Sequence, residues 1–486
     1  MKRRHEEFRI RKLIRKYDPA TGKFIVDIRF KVKTDITPRT IKVAEAFGIG
    51  VDEHKEHVIY DHASFKIGNR DIVYITGESG SGKSVLLKAL EKDLGDEAAN
   101  IENVQVNPEK PIVETIGETL DEALELLSRV GLNDAYLFVR RYNQLSDGQK
   151  YRYRIAKLIE SNRQYWIMDE FCATLDRETA KIVAFNVQKQ ARRTNRAVIA
   201  ATTHTDLLED LAPTVHIHKG WGNRLTVNYH PDASNTMCSV TRGLRIEEGT
   251  LEEYKQLAEF HYRNPETHPV PIKIFTLKRQ DNEPVGVIFY SWPPIVMFGR
   301  RKALGRKPSI QELNRDFATI SRVILHPKYR SIGLGTRLVR ETLPLVGRLY
   351  VETMAVMARY NPFFEKAGMR KIAEAHGDKT VREAAEKLEK LGFKQYTLAS
   401  KETNLKILRG LNPEETRKVK ETLLNVSQSY YKRLKASGKA YVKKKEFQKF
   451  ITEASAETLA KVISRLAVLA QTKVYLFWRN PKPHGN

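Results

Sequence analysis

One glycine-rich stretch of the chain has the residues needed to bind a nucleoside triphosphate. Residues 77–84 read Gly-Glu-Ser-Gly-Ser-Gly-Lys-Ser, and glycines in such a loop allow backbone N–H groups to surround phosphate oxygens where a helix begins. Lys83 would neutralise the β- and γ-phosphates, and the Ser84 hydroxyl would ligate Mg²⁺. The other expected contacts come from Gly77, Ser79, Gly80 and Gly82. The sequence therefore predicts a site for ATP and Mg²⁺.

Two acidic residues follow an apolar run that is typical of a buried strand. Residues 165–168 read Tyr-Trp-Ile-Met, and Asp169 and Glu170 come directly after them. One carboxylate at such a place can hold Mg²⁺, and the next can polarise the attacking water. Apolar strands that end in acids are common, so the assignment of Asp169 to the metal and Glu170 to the water depends on the surrounding motifs.

The surrounding motifs fall in the order found in one ATPase family. Residues 145–149, Leu-Ser-Asp-Gly-Gln, resemble the signature motif of the ABC ATPases and precede the acidic strand. Residues 173–176, Ala-Thr-Leu-Asp, resemble the D-loop, and His204 resembles the switch histidine. The resemblance covers about residues 45–230 and implies a P-loop ABC ATPase domain with a mostly parallel sheet.

The resemblance also implies a catalytic arrangement shared by two subunits. In this family the signature residues of one subunit face the γ-phosphate held by the P-loop lysine of the other, which predicts a homodimer with ATP at the interface. The residues to which the resemblance gives a role in hydrolysis are Glu170, His204, Gln105, Ser146, Gly148 and Asp176.

Several details within this resemblance stay open. Gln105 is assigned as the Q-loop residue and as a metal ligand, with Asn107 as the alternative. Phe47 would either stack on adenine or lie in the core, and base rates for aromatic residues favour the core. The segment from Ser84 to Leu145 is short for the family, which indicates a trimmed helical subdomain and argues against a transporter subunit or a chromosome-tethering protein.

A second motif, in the C-terminal half, would bind a pyrophosphate. Residues 317–325 are predicted to form a strand, and the loop 326–335 then leads into a helix and contains Arg330-x-x-Gly333-x-Gly335. This loop resembles the acetyl-CoA motif of the GNAT acetyltransferases, and residues 361–369 resemble their closing helix motif. The resemblance implies acetyl-CoA contacts at Val323, Leu325, Arg330, Ser331, Gly333, Leu334, Gly335 and Asn361.

The acid and base of the second site are not evident from the sequence. In the GNAT family an amine attacks the thioester, a strand N–H stabilises the oxyanion, and a tyrosine often protonates the thiolate. Phe364 stands where that tyrosine is usual, and Tyr360 is a possible replacement. Three candidates for the base, each more typical of a structural role, are Asp316, His326 and Glu352. Arg322 would contact a substrate phosphate or form a salt bridge.

Hydropathy patterns place these sites in an α/β chain of several parts. We predict an N-terminal β-hairpin domain at 1–45, an ABC ATPase domain at 46–235 and a GNAT α/β domain at 236–375. Residues 376–486 are predicted to form a basic helical segment, whose terminal strand at 473–479 completes the GNAT sheet.

The charge balance favours a polyanionic partner. The 486 residues include 84 Lys and Arg against 59 Asp and Glu, which gives a net charge of +25. Residues 300–307 form a basic stretch near the expected acceptor side, whereas residues 430–445 mix tyrosines with lysines and read slightly better as a helix with tyrosine in the core. No apolar run is long enough to cross a membrane, and two cysteines without a disulfide framework predict a cytoplasmic protein.

Together these features predict an ATP-hydrolysing ABC-type motor or switch coupled to acetyl transfer from acetyl-CoA. The expected acceptor is nucleic acid, either RNA such as tRNA or a DNA base. Two alternatives are an ATP-regulated acetyltransferase for proteins or small molecules, and a ribosome- or DNA-binding ABC switch whose GNAT fold does not catalyse.

Overall fold

The chain forms two compact units. The computed structural model describes residues 9–31, 35–50, 56–261, 270–356, 358, 361–375, 379–437, 442–469 and 472–481. Unit 1 comprises Met1–His268, Ile274–Ile288 and Val323–Leu338, and unit 2 comprises Pro269–Lys273, Phe289–Arg322 and Val339–Asn486. The boundaries of these units differ from the domain boundaries proposed from the sequence. The proposed boundaries stay predictions.

Unit 1 begins with a three-stranded antiparallel sheet. Its strands are β1 (Arg9–Asp18), β2 (Lys23–Lys31) and β3 (Glu56–Lys66), and helix α1 (Pro38–Phe47) precedes β3. The N-terminal hairpin expected from the sequence is present as β1 and β2, and β2 also pairs with β3. Phe24, Val26 and Ile28 are buried, because alternate residues of a strand point to the same face.

A six-stranded sheet positions the nucleotide motifs of unit 1. Its strands are β4 (Ile72–Thr76), β5 (Ala98–Asn100), β6 (Tyr165–Met168), β7 (Ala197–Thr202), β8 (Val215–Lys219) and β9 (Leu225–Tyr229), in the spatial order β5-β6-β7-β4-β8-β9. All neighbours are parallel except β8 and β9. The mostly parallel sheet predicted for the ATPase is confirmed, and the carboxyl ends of β6, β7 and β4 meet at one edge.

Helices connect these strands and cover the sheet. They are α2 (Lys83–Leu94), α3 (Leu120–Arg129), α4 (Ala135–Phe138), α5 (Asp147–Glu160), α6 (Arg177–Thr194) and α7 (Leu208–Leu211). Strands β4 and β7 are buried along their whole length, as strands covered on both faces are. In the fully described stretch 101–146, the α-helices are α3 and α4, and the trimmed subdomain indicated by the sequence stays a prediction.

A seven-stranded sheet follows in the chain. Its strands are β10 (Arg245–Glu248), β11 (Pro271–Lys278), β12 (Pro284–Ser291), β13 (Phe317–Leu325), β14 (Tyr350–Ala355), β15 (Arg370–Ala375) and β16 (Lys473–Arg479), in the order β10-β11-β12-β13-β14-β16-β15. β13 is parallel to β14, and β16 runs antiparallel to both β14 and β15. The terminal stretch thus returns as a strand between two earlier ones.

Short helices accompany this sheet, and a longer helical segment separates its last two strands in sequence. The helices are α8 (Leu251–Ala258), α9 (Arg300–Leu304), α10 (Ile310–Asp316), α11 (Leu334–Thr342), α12 (Phe363–Lys366), α13 (Lys379–Glu389), α14 (Lys401–Gly410), α15 (Pro413–Leu424), α16 (Tyr431–Lys435), α17 (Lys444–Thr452) and α18 (Ala456–Leu469). Within the described ranges, no helix is both long and apolar enough to span a membrane.

The helices α13 to α18 bury a core of their own. Tyr431 is buried in it, with its ring stacked 4.0 Å from that of Phe447. This agrees with the interpretation of the 430–445 stretch as a helix with tyrosine in the core. Lys439 and Tyr441 lie outside the described residues.

Arg300 is a buried structural residue of unit 2, so its predicted contact with a polyphosphate is wrong. The side chain is 3% exposed, and it pairs with Glu352, which is fully buried. Arg300 Nε lies 3.0 Å from Glu352 Oε2, and the guanidinium also donates to the carbonyls of Pro294 and Ile295. The Tyr475 hydroxyl donates to Glu352 Oε2 at 2.7 Å. The sequence shows only a run of cations. It does not show that one of these cations pairs with a residue on a distant strand.

We expect replacement of Arg300 by methionine to destabilise unit 2 strongly. The Glu352 carboxylate would then be buried without its counter-charge, and breaking a buried pair from one side costs about 3–5 kcal/mol. The midpoint of urea unfolding, followed by tryptophan fluorescence, should fall clearly. Arg301→Met, on the exposed neighbouring residue, is the control and should leave the midpoint nearly unchanged; equal midpoints for both variants would contradict the role given to Arg300.

Candidate functional site

Two P-loop glycines are required by close packing of the loop against residues of β3 and β8. Gly82 precedes α2 with a φ of 103°, and a Cβ atom on it would lie 2.4 Å from Ile59 Cγ2. A Cβ atom on Gly77 would lie 2.2 Å from the carbonyl oxygen of Lys219. The Tyr60 hydroxyl donates to the Gly82 carbonyl at 3.0 Å. The loop therefore has a fixed path that only glycine can follow at these two positions.

Lys83 lies where it would contact the phosphates of a nucleotide bound in the P-loop. Its ammonium donates to the carbonyls of Gly77 and Glu78, both at 2.8 Å. Burial lowers the pKa of Lys83, and the negative charges of Asp169 and Glu170 oppose that shift. The lysine at the start of α2 and the two acids after β6 are therefore close enough to interact electrostatically.

The remaining P-loop residues leave room and donors for ATP. Ser79 and Gly80 are exposed, and Ser84 is half-buried in the first turn of α2. The Ser81 hydroxyl is buried and has no hydrogen-bond partner among the described residues. Such a hydroxyl, beside a lysine held by backbone carbonyls, fits a phosphate oxygen as its missing partner. Ser84 and Asp169 are the residues that would hold Mg²⁺.

Glu170 is held in an uncommon backbone conformation at the carboxyl end of β6. Its φ is 46°, in the left-handed region that favours glycine, and its side chain is exposed. Its N–H donates to Asp169 Oδ1 at 3.0 Å, and the next residue, Phe171, donates to the Ala201 carbonyl of β7 at 2.7 Å. Strain of this kind occurs where the surroundings fix a functional side chain, which fits the role of Glu170 as the base.

The signature motif opens helix α5. Ser146 is exposed and caps α5, with a reciprocal hydrogen-bond pair between it and Gln149. Gly148 lies in the first turn, and a Cβ atom on it would contact Thr179 Cγ2 at 3.7 Å. The helix start therefore presents backbone N–H groups and the serine at the surface, as binding of a phosphate from another subunit would require.

The D-loop and the switch histidine flank the acidic strand. Asp176 caps α6 and accepts hydrogen bonds from the Thr179 N–H and hydroxyl. Burial raises the pKa of Asp176, but hydrogen bonds from Lys328 and Thr179 outweigh it and lower the pKa to about 2. His204 follows β7, and its carbonyl accepts from the Tyr74 hydroxyl at 2.5 Å. Strand order thus brings His204 to the edge that carries Lys83.

The structure bears on one of the two assignments that the sequence leaves open, the place of Phe47, but not on the choice between Gln105 and Asn107. Phe47 is 78% exposed at the end of α1, so the core interpretation is wrong and adenine stacking stays a prediction. Gln105 and Asn107 both lie in an exposed loop after β5, and the structure does not favour one over the other.

The loop 326–331 after β13 is packed against the ATPase helices of unit 1. Arg330 is 8% exposed and donates to Asp134 Oδ2 and to the carbonyls of Leu325 and Phe260, each at 3.2 Å. The Ser331 hydroxyl accepts from Asn186 of α6 at 2.6 Å. Their side chains therefore have partners within the unit, and any contact with a pyrophosphate would come from the backbone that follows.

In contrast to these buried side chains, the first glycine after the loop is exposed. Gly333 is exposed with a φ of 88°, and no atom lies within 4 Å of a Cβ atom built on it. Leu334 and Gly335 form the first turn of α11, and Val323 and Leu325 are half-buried near the end of β13. Backbone at a helix start that no side chain covers can be approached closely by an anionic group. Asn361 belongs to unit 2.

The candidates for acid and base are mostly engaged elsewhere. Glu352 is the buried partner of Arg300 and also accepts from the Thr319 hydroxyl. Asp316 forms an ion pair with Arg315, and Phe364 is buried beside Phe363. Burial lowers the pKa of His326, which favours the neutral ring. Arg322 donates to the Ser321 carbonyl, and Tyr360 lies outside the described residues.

Comparisons with known proteins support the assignment of a nucleotide site in this chain. The ABC transporter family model matches residues 60–173. The cytochrome c biogenesis ATP-binding export protein CcmA of Brucella abortus (strain 2308) is 31% identical over 179 residues, which cover 31% of this chain and 80% of that protein. CcmA of Chelativorans sp. (strain BNC1) is 30% identical over 199 residues, which cover 35% of this chain and 95% of that protein.

A similar solved structure is a dimeric ATP-binding cassette in a post-hydrolysis state, bound to ADP and Pi. It is 19% identical, with a TM-score of 0.30, and the match covers 35% of this chain and 91% of that chain. The family match and the relatives define the class: this chain belongs to the ABC transporter ATPase family. It is an ATP-hydrolysing enzyme, and ATP with Mg²⁺ fits its P-loop site.

Proposed function

We propose that this chain couples ATP hydrolysis to acetyl transfer from acetyl-CoA, with nucleic acid as the acceptor. The observation that carries the proposal is the open backbone at Gly333, between strand β13 and the start of α11. Phosphate oxygens can approach a backbone of this kind closely because no side chain blocks it. The rigid base of the loop, at Arg330 and Ser331, would keep that backbone in place.

Within unit 2, the pairing of β13 with β14 supports binding of an extended ligand. Backbone pairing of β13 with β14 joins three residue pairs and ends at Thr319 and Glu352. Beyond them, the Thr353 hydroxyl donates to the Ile320 carbonyl at 2.9 Å. Strand pairing that ends before the strands do leaves backbone groups for a ligand, and the pantetheine arm of acetyl-CoA carries amides that can pair with a strand.

The proposed chemistry is direct transfer to an amine. The amine nitrogen attacks the thioester carbonyl carbon, the C–S bond breaks, and the amine loses a proton to water. Phe364 has no proton to give, so we assign protonation of the leaving thiolate to water as well. Release of CoA distinguishes this reaction from a switch whose fold binds acetyl-CoA without turning it over.

Nucleic acid is the proposed acceptor because unit 2 has an exposed surface of cations and aromatic residues. Arg301, Lys302 and Lys307 are exposed, and so are the rings of Trp292 and Phe298. Bases stack on exposed aromatic rings, while nearby cations pair with phosphates. An ATP-regulated acetyltransferase for proteins or small molecules is the alternative, since the cations alone do not select a polymer.

We also propose a cytoplasmic homodimer that encloses ATP. The exposed Ser146 cap and the exposed P-loop serine Ser79 leave both halves of such a site accessible to a second copy. Cys172 and Cys238 are both free and buried, as is common for proteins of a reducing compartment.

Charge reversal should reveal the nucleic-acid surface. We expect the variant with Arg301, Lys302 and Lys307 all changed to Glu to bind RNA more weakly and to reduce the slope of log K against log salt by about one unit per lost phosphate contact. Fluorescence anisotropy with a labelled single strand measures both quantities.

The matched control changes three exposed lysines of the helical segment, Lys387, Lys390 and Lys394, to Glu. It has the same net charge, so it should keep most of the affinity if the surface on unit 2 is the specific one. Absence of RNA and DNA binding by the wild-type protein at low salt would exclude nucleic acid as the acceptor.

A further inference from the structure

A lysine after strand β13 holds the D-loop of the ATPase. Lys328 lies in the short turn Pro327–Tyr329, and its Nζ is 2.8 Å from both Asp176 Oδ1 and Glu178 Oε2. The Tyr329 hydroxyl donates to the same Glu178 oxygen at 3.1 Å. All of these residues belong to unit 1. The turn Pro327–Tyr329, which follows the D-loop by about 150 residues in the sequence, therefore binds both carboxylates at the start of α6.

The turn that carries Lys328 is itself fixed by the signature helix. Arg152 of α5 is buried and donates to the carbonyls of Pro327 at 3.5 Å and Lys328 at 3.1 Å. A buried guanidinium must satisfy its donors within the protein, so these bonds resist displacement of the turn. Lys328 thus reaches Asp176 from a backbone that is anchored on the helix of Ser146.

Two backbone hydrogen bonds hold the turn that joins the catalytic glutamate to Asp176. The Leu175 N–H donates to the Cys172 carbonyl at 3.3 Å, and the Ala173 N–H donates to the Glu170 carbonyl at 3.0 Å. Glu170 and Cys172 both have left-handed backbones, with φ of 46° and 57°. Such conformations are unfavourable for these residues and persist only where neighbours fix them. A shift of Asp176 would therefore reach the backbone of Glu170.

We propose that Lys328 is a positioning residue for ATP hydrolysis, which holds Asp176 and, through the 170–176 turn, keeps Glu170 in its productive orientation. Lys328 does not touch the P-loop, so it acts on turnover and not on nucleotide binding. The loop that the proposed function assigns to acetyl-CoA is then also part of the hydrolytic machinery, but the inference on Lys328 does not require acetyl-CoA to bind.

The test compares ATP turnover of full-length variants. In Lys328→Met the kcat for ATP should fall about tenfold, while KM changes less than about twofold, because an interaction that matters for the reacting arrangement affects kcat alone. Lys328→Arg should retain at least about a third of the wild-type kcat, since a guanidinium can also bind two carboxylates.

Controls separate positioning from general damage. Lys255→Met removes a partly exposed lysine of unit 1 whose partner, Glu252, lies on the same helix, and it should leave kcat unchanged. If Lys328→Met does not fold, Glu178→Gln serves instead and should lower kcat about threefold by weakening one of the two contacts. A wild-type kcat in the folded Lys328→Met variant, or in Glu178→Gln where that variant is needed, would overturn the proposal. Equal losses in the Met and Arg variants would also overturn it.

Discussion

Replacing Glu170 by glutamine should lower the rate of ATP hydrolysis at least a hundredfold while ATP binding persists. A positioned general base contributes about 10²–10⁴ to such a rate, and the amide cannot accept the proton of the attacking water. Lys83, Ser84 and Asp169, the residues expected to hold phosphate and Mg²⁺, remain in the variant. The variant should therefore accumulate as an ATP-bound dimer, measured by gel filtration with and without ATP.

The control for this prediction is Glu97→Gln, on an exposed glutamate outside the site. It carries the same change of charge and should hydrolyse ATP at the wild-type rate. Turnover at the wild-type rate in Glu170→Gln would remove Glu170 from the catalytic role.

Replacing Gly333 by valine should weaken acetyl-CoA binding by about tenfold or more. A β-branched residue is strained at a φ of 88°, and its side chain would occupy the open space beside the backbone at the start of α11. Close approach of the pyrophosphate would then be blocked. Isothermal titration calorimetry with acetyl-CoA measures the affinity.

Gly392→Val is a matched control for backbone strain. Gly392 has a φ of 91° and open space around it, and it lies in the helical segment. If the loss of affinity came from general destabilisation, both variants would lose it equally. Equal acetyl-CoA affinity in wild type and Gly333→Val would show that this loop does not hold the cofactor.

The nucleotide site is the part of the molecule that the sequence predicts best. Gly77 to Ser84, Asp169 and Glu170 each follow a short apolar run, and parallel strands bring their carboxyl ends to one edge. Local pattern and sheet geometry are therefore sufficient for this site. The terminal apolar run at 473–479 likewise predicts a strand, which is confirmed as β16.

Features that depend on distant partners were not predictable in this way. Arg300 is one of several cations in a row, and only its contact with Glu352 on β14 shows that it is buried. Lys328 lies within the loop that the sequence predicts to bind acetyl-CoA, yet it binds the D-loop of the ATPase. Phe47 belongs to a residue type that is usually buried, but it ends a helix at the surface. Pairing between remote segments decides the cases of Arg300 and Lys328.

The most direct test of the proposed function is acetyl transfer by the purified chain. The full-length protein, freed of bound nucleic acid, is incubated with acetyl-CoA labelled on the acetyl group, ATP and Mg²⁺, and total RNA or DNA, and the label in the polymer and the free CoA thiol are both measured. We predict equal amounts of polymer-bound acetyl and released CoA, with transfer dependent on ATP and lost in Glu170→Gln and in Gly333→Val. ATP hydrolysis without labelled polymer and without released CoA would contradict the coupling of this ABC ATPase to acetyl transfer.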